Sequence, residues 1–193
     1  MSLGKQAKTL SKGQVEAVLA YLAKTRHAVR NRVIFLLSAK AGLRAKEIAR
    51  LTWWMTNDAQ GEIGRVICLQ DSASKGKSGR MIPINEELRT ALIEYRRLVP
   101  NAGPHVISTE RALSTSPQMI VNLFDRWYRH LGFVGCSSHS GRRTFITNAA
   151  RKISTVGGSL RDVQVLAGHT NLRTTQRYID ENPEAHARIV ELV

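Results

Sequence analysis

Acidic side chains are scarce in this 193-residue chain: 15 Asp and Glu stand against 29 Lys and Arg, a formal net charge of +14. A cation excess of that size points to a polyanionic partner, most commonly nucleic acid, although a merely soluble basic protein can share the composition. Cysteine is nearly absent. Cys68 and Cys136 are too few and too far apart for a zinc site or a disulfide framework, which suits a reducing cytoplasm. No apolar run approaches the roughly 18 residues of a membrane span, and the basic start MSLGKQAKTLSKGQ lacks the apolar stretch of a secretory signal. Membrane, secreted, collagen-like and disordered classes are thereby excluded. What remains is an ordinary globular mixture, 42% hydrophobic and 23% charged, long enough for one domain with a sizeable core.

Hydrophobic periodicity predicts a mainly helical α+β domain over residues 11–193, preceded by a short flexible arm over 1–10. Ser11 is a good N-cap, and Val15, Val18, Leu19 and Leu22 follow on one helical face. A second helix is expected over about Val29–Ala41, stopped by Gly42, and a short third over Ala45–Leu51. The period then changes: Ile63–Leu69 and Met81–Ile84 are β-rich and flank the Ser/Gly/Lys stretch 71–80, a hairpin with a long basic tip. Helices are expected again after the caps Asn85 and Ser116 (with Pro117 at the first helical position), over His139–Lys152, and from the Ser159/Asp162 capping box to Gly168. A last piece includes Thr174–Ile179.

Four separated segments hold residues able to handle a phosphate. Arg44, in Ala-Gly-Leu-Arg, projects from a corner between two helices, where a planar fork suits phosphate oxygens; a helix-end contact is the plainer use. Lys75, with Lys77 and Arg80 nearby, sits in the hairpin tip, where lysine can protonate a leaving oxygen or simply be solvated. His139 and Arg142 are spaced i, i+3, so on a helix they share a face and can converge on one anion. His169 follows Gly168 at a helix C-terminus, where the dipole favours a charged imidazole, and Tyr178 lies nine positions on among cations. A phenol is a poor nucleophile unless such neighbours help it ionise. Tyr95 and Tyr21 lie on or beside apolar faces; Tyr128, in Trp-Tyr-Arg-His, is the one rival.

Taken in order, these segments resemble the tyrosine recombinases of the phage integrase family, whose chemistry is shared with type IB topoisomerases. Arg44 matches the first arginine box, Lys75 the hairpin lysine (Lys77 being the alternative), His139 and Arg142 the His-x-x-Arg box, His169 the second histidine and Tyr178 the nucleophile. The likeness runs from about Leu10 to Tyr178. Ser140-Gly141 stands where Asp-Leu is often found, and Arg143 where histidine is common. The family's N-terminal core-binding domain has no counterpart, as in a catalytic fragment or in the naturally short fimbrial-switch invertases.

The resemblance implies the catalytic-domain fold of that family and site-specific cleavage and rejoining of duplex DNA through a 3′-phosphotyrosyl link, without metal, ATP or other cofactor. The biological outcome would be integration, excision or inversion. Arg44 and Arg142 would hold the phosphate, Lys75 protonate the 5′-oxygen, His139 take the tyrosine proton and His169 bond the phosphate. Lys77, Arg80, Arg143, Arg173 and Arg177 are expected on backbone phosphates. Implied partners are double-stranded DNA, further copies (a tetramer on DNA, a monomer or weak associate when free) and DNA-bending accessory proteins, in the bacterial cytoplasm or nucleoid or a phage-infected cell. The C-terminal tail would pack on a neighbouring protomer or fold back on its own domain. A catalytically inactive DNA-binding regulator of the same fold is the alternative.

Overall fold

The computed structural model describes residues 7–74, 79–100, 103–110 and 112–178. Eight α-helices are found among them: α1 (Lys12–Leu22), α2 (Ala28–Ala39), α3 (Ala45–Arg50), α4 (Glu86–Leu98), α5 (Pro117–His130), α6 (Ser140–Lys152), α7 (Leu160–Ala167) and α8 (Leu172–Gln176). Strands β1 (Val66–Leu69) and β2 (Arg80–Pro83) pair antiparallel, with Val66 opposite Pro83 and Leu69 opposite Arg80. The mainly helical α+β architecture expected from the periodicity is present. None of the described helices is long and apolar enough to cross a membrane.

Local chemistry sets most of the boundaries. Ser11 caps α1 in a capping box with Gln14, Asn85 and Ser116 accept from the third residues of α4 and α5, and Asp162 returns to the Ser159 amide at α7. Two expectations shift, and one element is new. Ile63 leaves the ladder because Asp58 accepts the amides of Gln60 and Glu62, a local turn that delays β1 to Val66. Asn171 accepts from the Arg173 amide and so starts α8 earlier than Thr174; the helix ends at Gln176. Trp53–Met55 form a short 3₁₀ turn that the sequence did not signal.

Two apolar clusters hold the fold. The large one joins α1–α5 with the inward faces of the hairpin: Ile67, Leu69 and Ile82 are buried while Cys68 and Met81 face outward. Central helix α2 buries Val33 to Ala39 almost without interruption and packs on α4 and α6. The small cluster is Ile146, Val163 and Ala167, with Phe145, Ala149, Leu160 and Tyr178 packed around it. Helix α6 supplies Ile146 to the small cluster and packs on α2 of the large one, and the amide of Leu10, just before α1, bonds to it through Thr144 Oγ1 at 2.7 Å.

Glycine at two positions fixes how α6 meets α2. Gly42 has φ of +66° just beyond α2, and a Cβ there would lie 2.5 Å from the Phe145 ring. Gly141, inside α6, allows near-backbone contact: a Cβ would lie 2.6 Å from Ser38 Oγ and 3.3 Å from the Ala39 amide nitrogen. This explains the departure from Leu at that position, since Ser38 is fully buried and leaves no room. Gly141→Ala is therefore expected to cost about 1–3 kcal/mol of stability in chemical denaturation. Adding Ser38→Ala, which removes the nearest atom, should recover part of that loss; equal cost in both backgrounds would refute the contact.

Candidate active site

Arg44 is the N-cap of α3, and Glu47 sits at that helix's third position with its side chain wholly buried. A buried carboxylate must be paired and hydrogen-bonded to remain charged. Glu47 is surrounded by donors: Oε1 accepts from Arg44 Nη1 at 2.8 Å and Arg80 Nη1 at 3.1 Å, and Oε2 from the Arg44 amide at 2.8 Å and Arg80 Nη2 at 3.1 Å. Burial pushes its pKa up, but the Arg80 hydrogen bonds, with the Arg80 and Arg44 charges, outweigh it and the net direction is down. The Arg44 side chain remains about a quarter exposed, at 23%, so its guanidinium can still meet a ligand.

Arg80 belongs to this arrangement and not to the surface. Its side chain is 3% exposed, grips Glu47 with both terminal nitrogens and donates from Nε to the Leu166 carbonyl at 2.8 Å. The expected contact with DNA phosphates does not fit this placement. Alternation along β2 turns Arg80 inward with Ile82, and the carboxylate of α3 receives it. The hairpin is thereby tied to both α3 and α7. Lys75 and Lys77 lie outside the described residues.

Arg142, on α6, is 3% exposed. Nη1 donates to the Gly42 carbonyl; Nη2 donates to the Ala167 carbonyl at 2.6 Å and faces His169 Nε2 at 3.0 Å. Burial and the neighbouring Arg44 push its pKa down to about 10, which leaves it charged at neutral pH. His139 is the N-cap of α6 and faces the same cleft. Desolvation, then Arg142 and Arg44, lower its pKa, favouring the neutral form that can accept a proton.

His169 follows the left-handed C-cap Gly168, as the sequence suggests, but it is not the charged imidazole expected at a helix end. Burial and the Arg142, Arg44 and Arg80 guanidiniums push its pKa down to about 4, outweighing the helix terminus. Arginine carries only donors, so Nε2 must be the accepting nitrogen, and Nδ1 lies 3.0 Å from Thr175 Oγ1. The Tyr178 ring stacks on His169, centroids 5.5 Å apart at 24°, and Arg143 lies 5.6 Å from the ring's centre. His139, Arg142, Arg143, Thr174, Arg177 and Tyr178 line an open cleft of about 390 Å³.

The structure thus gathers Arg44, His139, Arg142, His169 and Tyr178 from three of the four segments. The rival Tyr128 is buried in the large core, where burial raises its pKa, and it cannot meet a surface ligand. Arg173 and Arg177 are exposed beside the cleft, and Arg143 is half-buried. Sequence reading missed Glu47, the inward role of Arg80, and Thr175. Only Glu47 left a signal, the acidic residue three positions after a helix-opening Arg44. Among the described residues no group of three or more His, Cys, Asp or Glu could hold a metal ion. The guanidiniums of Arg44 and Arg142, with His139, His169 and Tyr178 near them, have the chemistry to hold an oxyanion and move protons at it.

A family model described as "Phage integrase family" matches residues 8–185. Similar curated proteins include the tyrosine recombinase XerA of Thermococcus onnurineus, 29% identical over 174 residues, covering 89% of this chain and 57% of the relative. Another is the tyrosine recombinase XerC of Shewanella amazonensis, 30% identical over 186 residues, with coverages of 92% and 59%. The chain therefore spans a little over half the length of these relatives. Among solved structures, the XerA recombinase crystal structure superposes with a TM-score of 0.74 at 22% identity, covering 95% of this chain and 64% of that one. The Tn1549 transposon integrase in complex with circular intermediate DNA gives 0.73 at 21%, covering 100% and 68%.

Two outcomes follow for the site's electrostatics. Arg80→Met strands a buried carboxylate and is expected to cost about 3–5 kcal/mol in denaturation; a loss no larger than that of the exposed Arg177→Ala would refute the buried pairing. His169 binds its proton less readily folded than unfolded, so its contribution is fully present above about pH 6.5 and lost as pH falls toward 4. Denaturation curves should show a loss on the order of 2 kcal/mol across that window that His169→Gln lacks. A variant as acid-sensitive as the parent would contradict the neutral buried ring.

Proposed function

The chain belongs to the phage integrase family, and on that premise we propose that it is a site-specific DNA recombinase module that cleaves and reseals duplex DNA through a phosphotyrosyl intermediate. The observation that carries this reading is the convergence of Arg44, His139, Arg142, His169 and Tyr178 on one side of the molecule, with the phenol stacked on the imidazole. The DNA complexes of similar folds, such as the Tn1549 integrase and the XerH recombinase bound to difH, support duplex DNA as the substrate.

In the proposed reaction the Tyr178 oxygen attacks the scissile phosphorus and its proton passes to neutral His139. The bond from phosphorus to the 5′-oxygen breaks, and that oxygen takes a proton from Lys75 (or Lys77), leaving a 3′-phosphotyrosyl link and a 5′-hydroxyl. Arg44 and Arg142 hold the non-bridging oxygens and neutralise the charge that builds on them, and His169, once its ring is protonated, would hydrogen-bond the same phosphate. Because one ester replaces another, resealing by a 5′-hydroxyl runs without ATP. The two guanidiniums and a lysine supply positive charge, so the reading calls for no metal.

Arg143, Arg173 and Arg177, with Lys77, would hold flanking backbone phosphates with little sequence selectivity. Assembly of several copies on DNA, up to a tetramer, belongs to the same proposal, as does help from DNA-bending proteins.

A nicked suicide duplex tests the reaction by trapping the intermediate. The protein is expected to form a covalent adduct resistant to denaturation, and Tyr178→Phe to form none while its DNA affinity stays within about threefold, since backbone contacts dominate binding. An adduct that persists in Tyr178→Phe would move the nucleophile elsewhere. Wild-type protein that binds DNA but never forms an adduct would favour a non-catalytic regulator. Arg142→Lys is expected to slow adduct formation by about 100-fold, because a point charge does not replace the bidentate fork.

A further inference from the structure

Thr175 is the one fully buried residue of α8, its side chain turned away from the cleft that Thr174 lines. A hydroxyl in such a place is costly unless bonded, and its partner is His169 Nδ1 at 3.0 Å. The other ring nitrogen faces Arg142 Nη2, which can only donate, so in the neutral ring the proton must sit on Nδ1 and point at Thr175 Oγ1. The backbone of the same residue is engaged too: its carbonyl accepts the Tyr178 amide at 3.0 Å. Thr175 therefore touches the imidazole with its side chain and the nucleophile's segment with its main chain.

We propose that Thr175 is a positioning residue that fixes the tautomer of His169, keeping Nε2 directed at Arg142 and the phosphate pocket while it anchors the segment bearing Tyr178. This rests on the recombinase reading for its kinetic consequence but not for the tautomer itself. The anchor is indifferent to the charge of the ring. Nδ1 carries a proton in both the neutral and the protonated imidazole, so Thr175 Oγ1 accepts in either state. Nε2 is left free to accept from Arg142 in the unliganded protein, or, once an entering anion favours the charged ring and it takes a proton from solvent, to donate to a phosphate oxygen. Without the acceptor the Nδ1 proton is buried and unpaired, a cost the ring escapes by moving that proton to Nε2 and turning away from the Arg142 donor.

The experiment combines ¹⁵N NMR of the DNA-free protein with single-turnover adduct formation on the suicide duplex. Wild-type His169 is expected as the Nδ1–H tautomer at neutral pH. Thr175→Val, nearly the same shape without the acceptor, should lose that tautomer and slow adduct formation by about 10–100-fold, the size typical when a histidine's orienting partner is removed. DNA affinity should stay within about threefold. Thr175→Ser, which keeps the hydroxyl, should restore both tautomer and rate. A wild-type Nε2–H tautomer, a Thr175→Val protein that reacts at the parental rate, or a Thr175→Ser protein as slow as Thr175→Val would each overturn the proposal. Should Thr175→Val fail to fold, the wild-type tautomer and the serine variant still decide it. Wild-type protein that forms no adduct would sink the recombinase reading, with the tautomer measurement still deciding the role of Thr175.

Discussion

A single carboxylate without access to water organises the candidate site. Glu47 lies fully buried and accepts from two guanidiniums and a backbone amide, so its charge persists only while Arg44 and Arg80 stay in place. The constraint acts in both directions. Three arginines, Arg44, Arg80 and Arg142, lie close enough to depress the basicity of His169, and one carboxylate opposes them. The excess positive charge is held rigid before any ligand arrives, which is the condition under which fixed donors stabilise a developing oxyanion best.

Arg142 depends on the same economy of partners, but its acceptors are main-chain carbonyls at the ends of helices. Gly42 presents its carbonyl just beyond α2, and Ala167 presents one at the end of α7. The guanidinium thus closes a bridge between segments 100 and 25 residues away in sequence. The close approach of α6 to α2 at Gly141 places Arg142 within reach of Gly42. Packing in the interior and aim of the cation are therefore one problem, solved at one helix crossing.

Much of this was legible in the sequence. Caps such as Ser11, Asn85, Ser116 and Ser159 declare helix starts locally, and the ordered set Arg44, His139, Arg142, His169 and Tyr178 was readable as one constellation. What was hidden depends on partners far away in sequence. Arg80 reads as one more cation of a basic hairpin until the Leu166 carbonyl, 86 positions later, and Glu47 take it inward. His169 reads as a helix-end cation because the dipole is local, whereas the burial that keeps it neutral, and the guanidiniums that add to it from α3, β2 and α6, are not. Thr175 carries no signal at all, since one threonine among several is distinguished only by which way it faces.

The division of the interior into two apolar clusters has a consequence of its own. The Arg44 end of the site is braced by the extensive core of α1–α5, whereas the phenol rests on a patch built around Ile146, Val163 and Ala167. Resistance to local unfolding scales with such burial, so the molecule carries a gradient of rigidity across a few ångströms. The phenol, which leans on that patch by ring contacts alone, is held less firmly than the guanidiniums, which are fastened by the Glu47 carboxylate and the Gly42, Leu166 and Ala167 carbonyls.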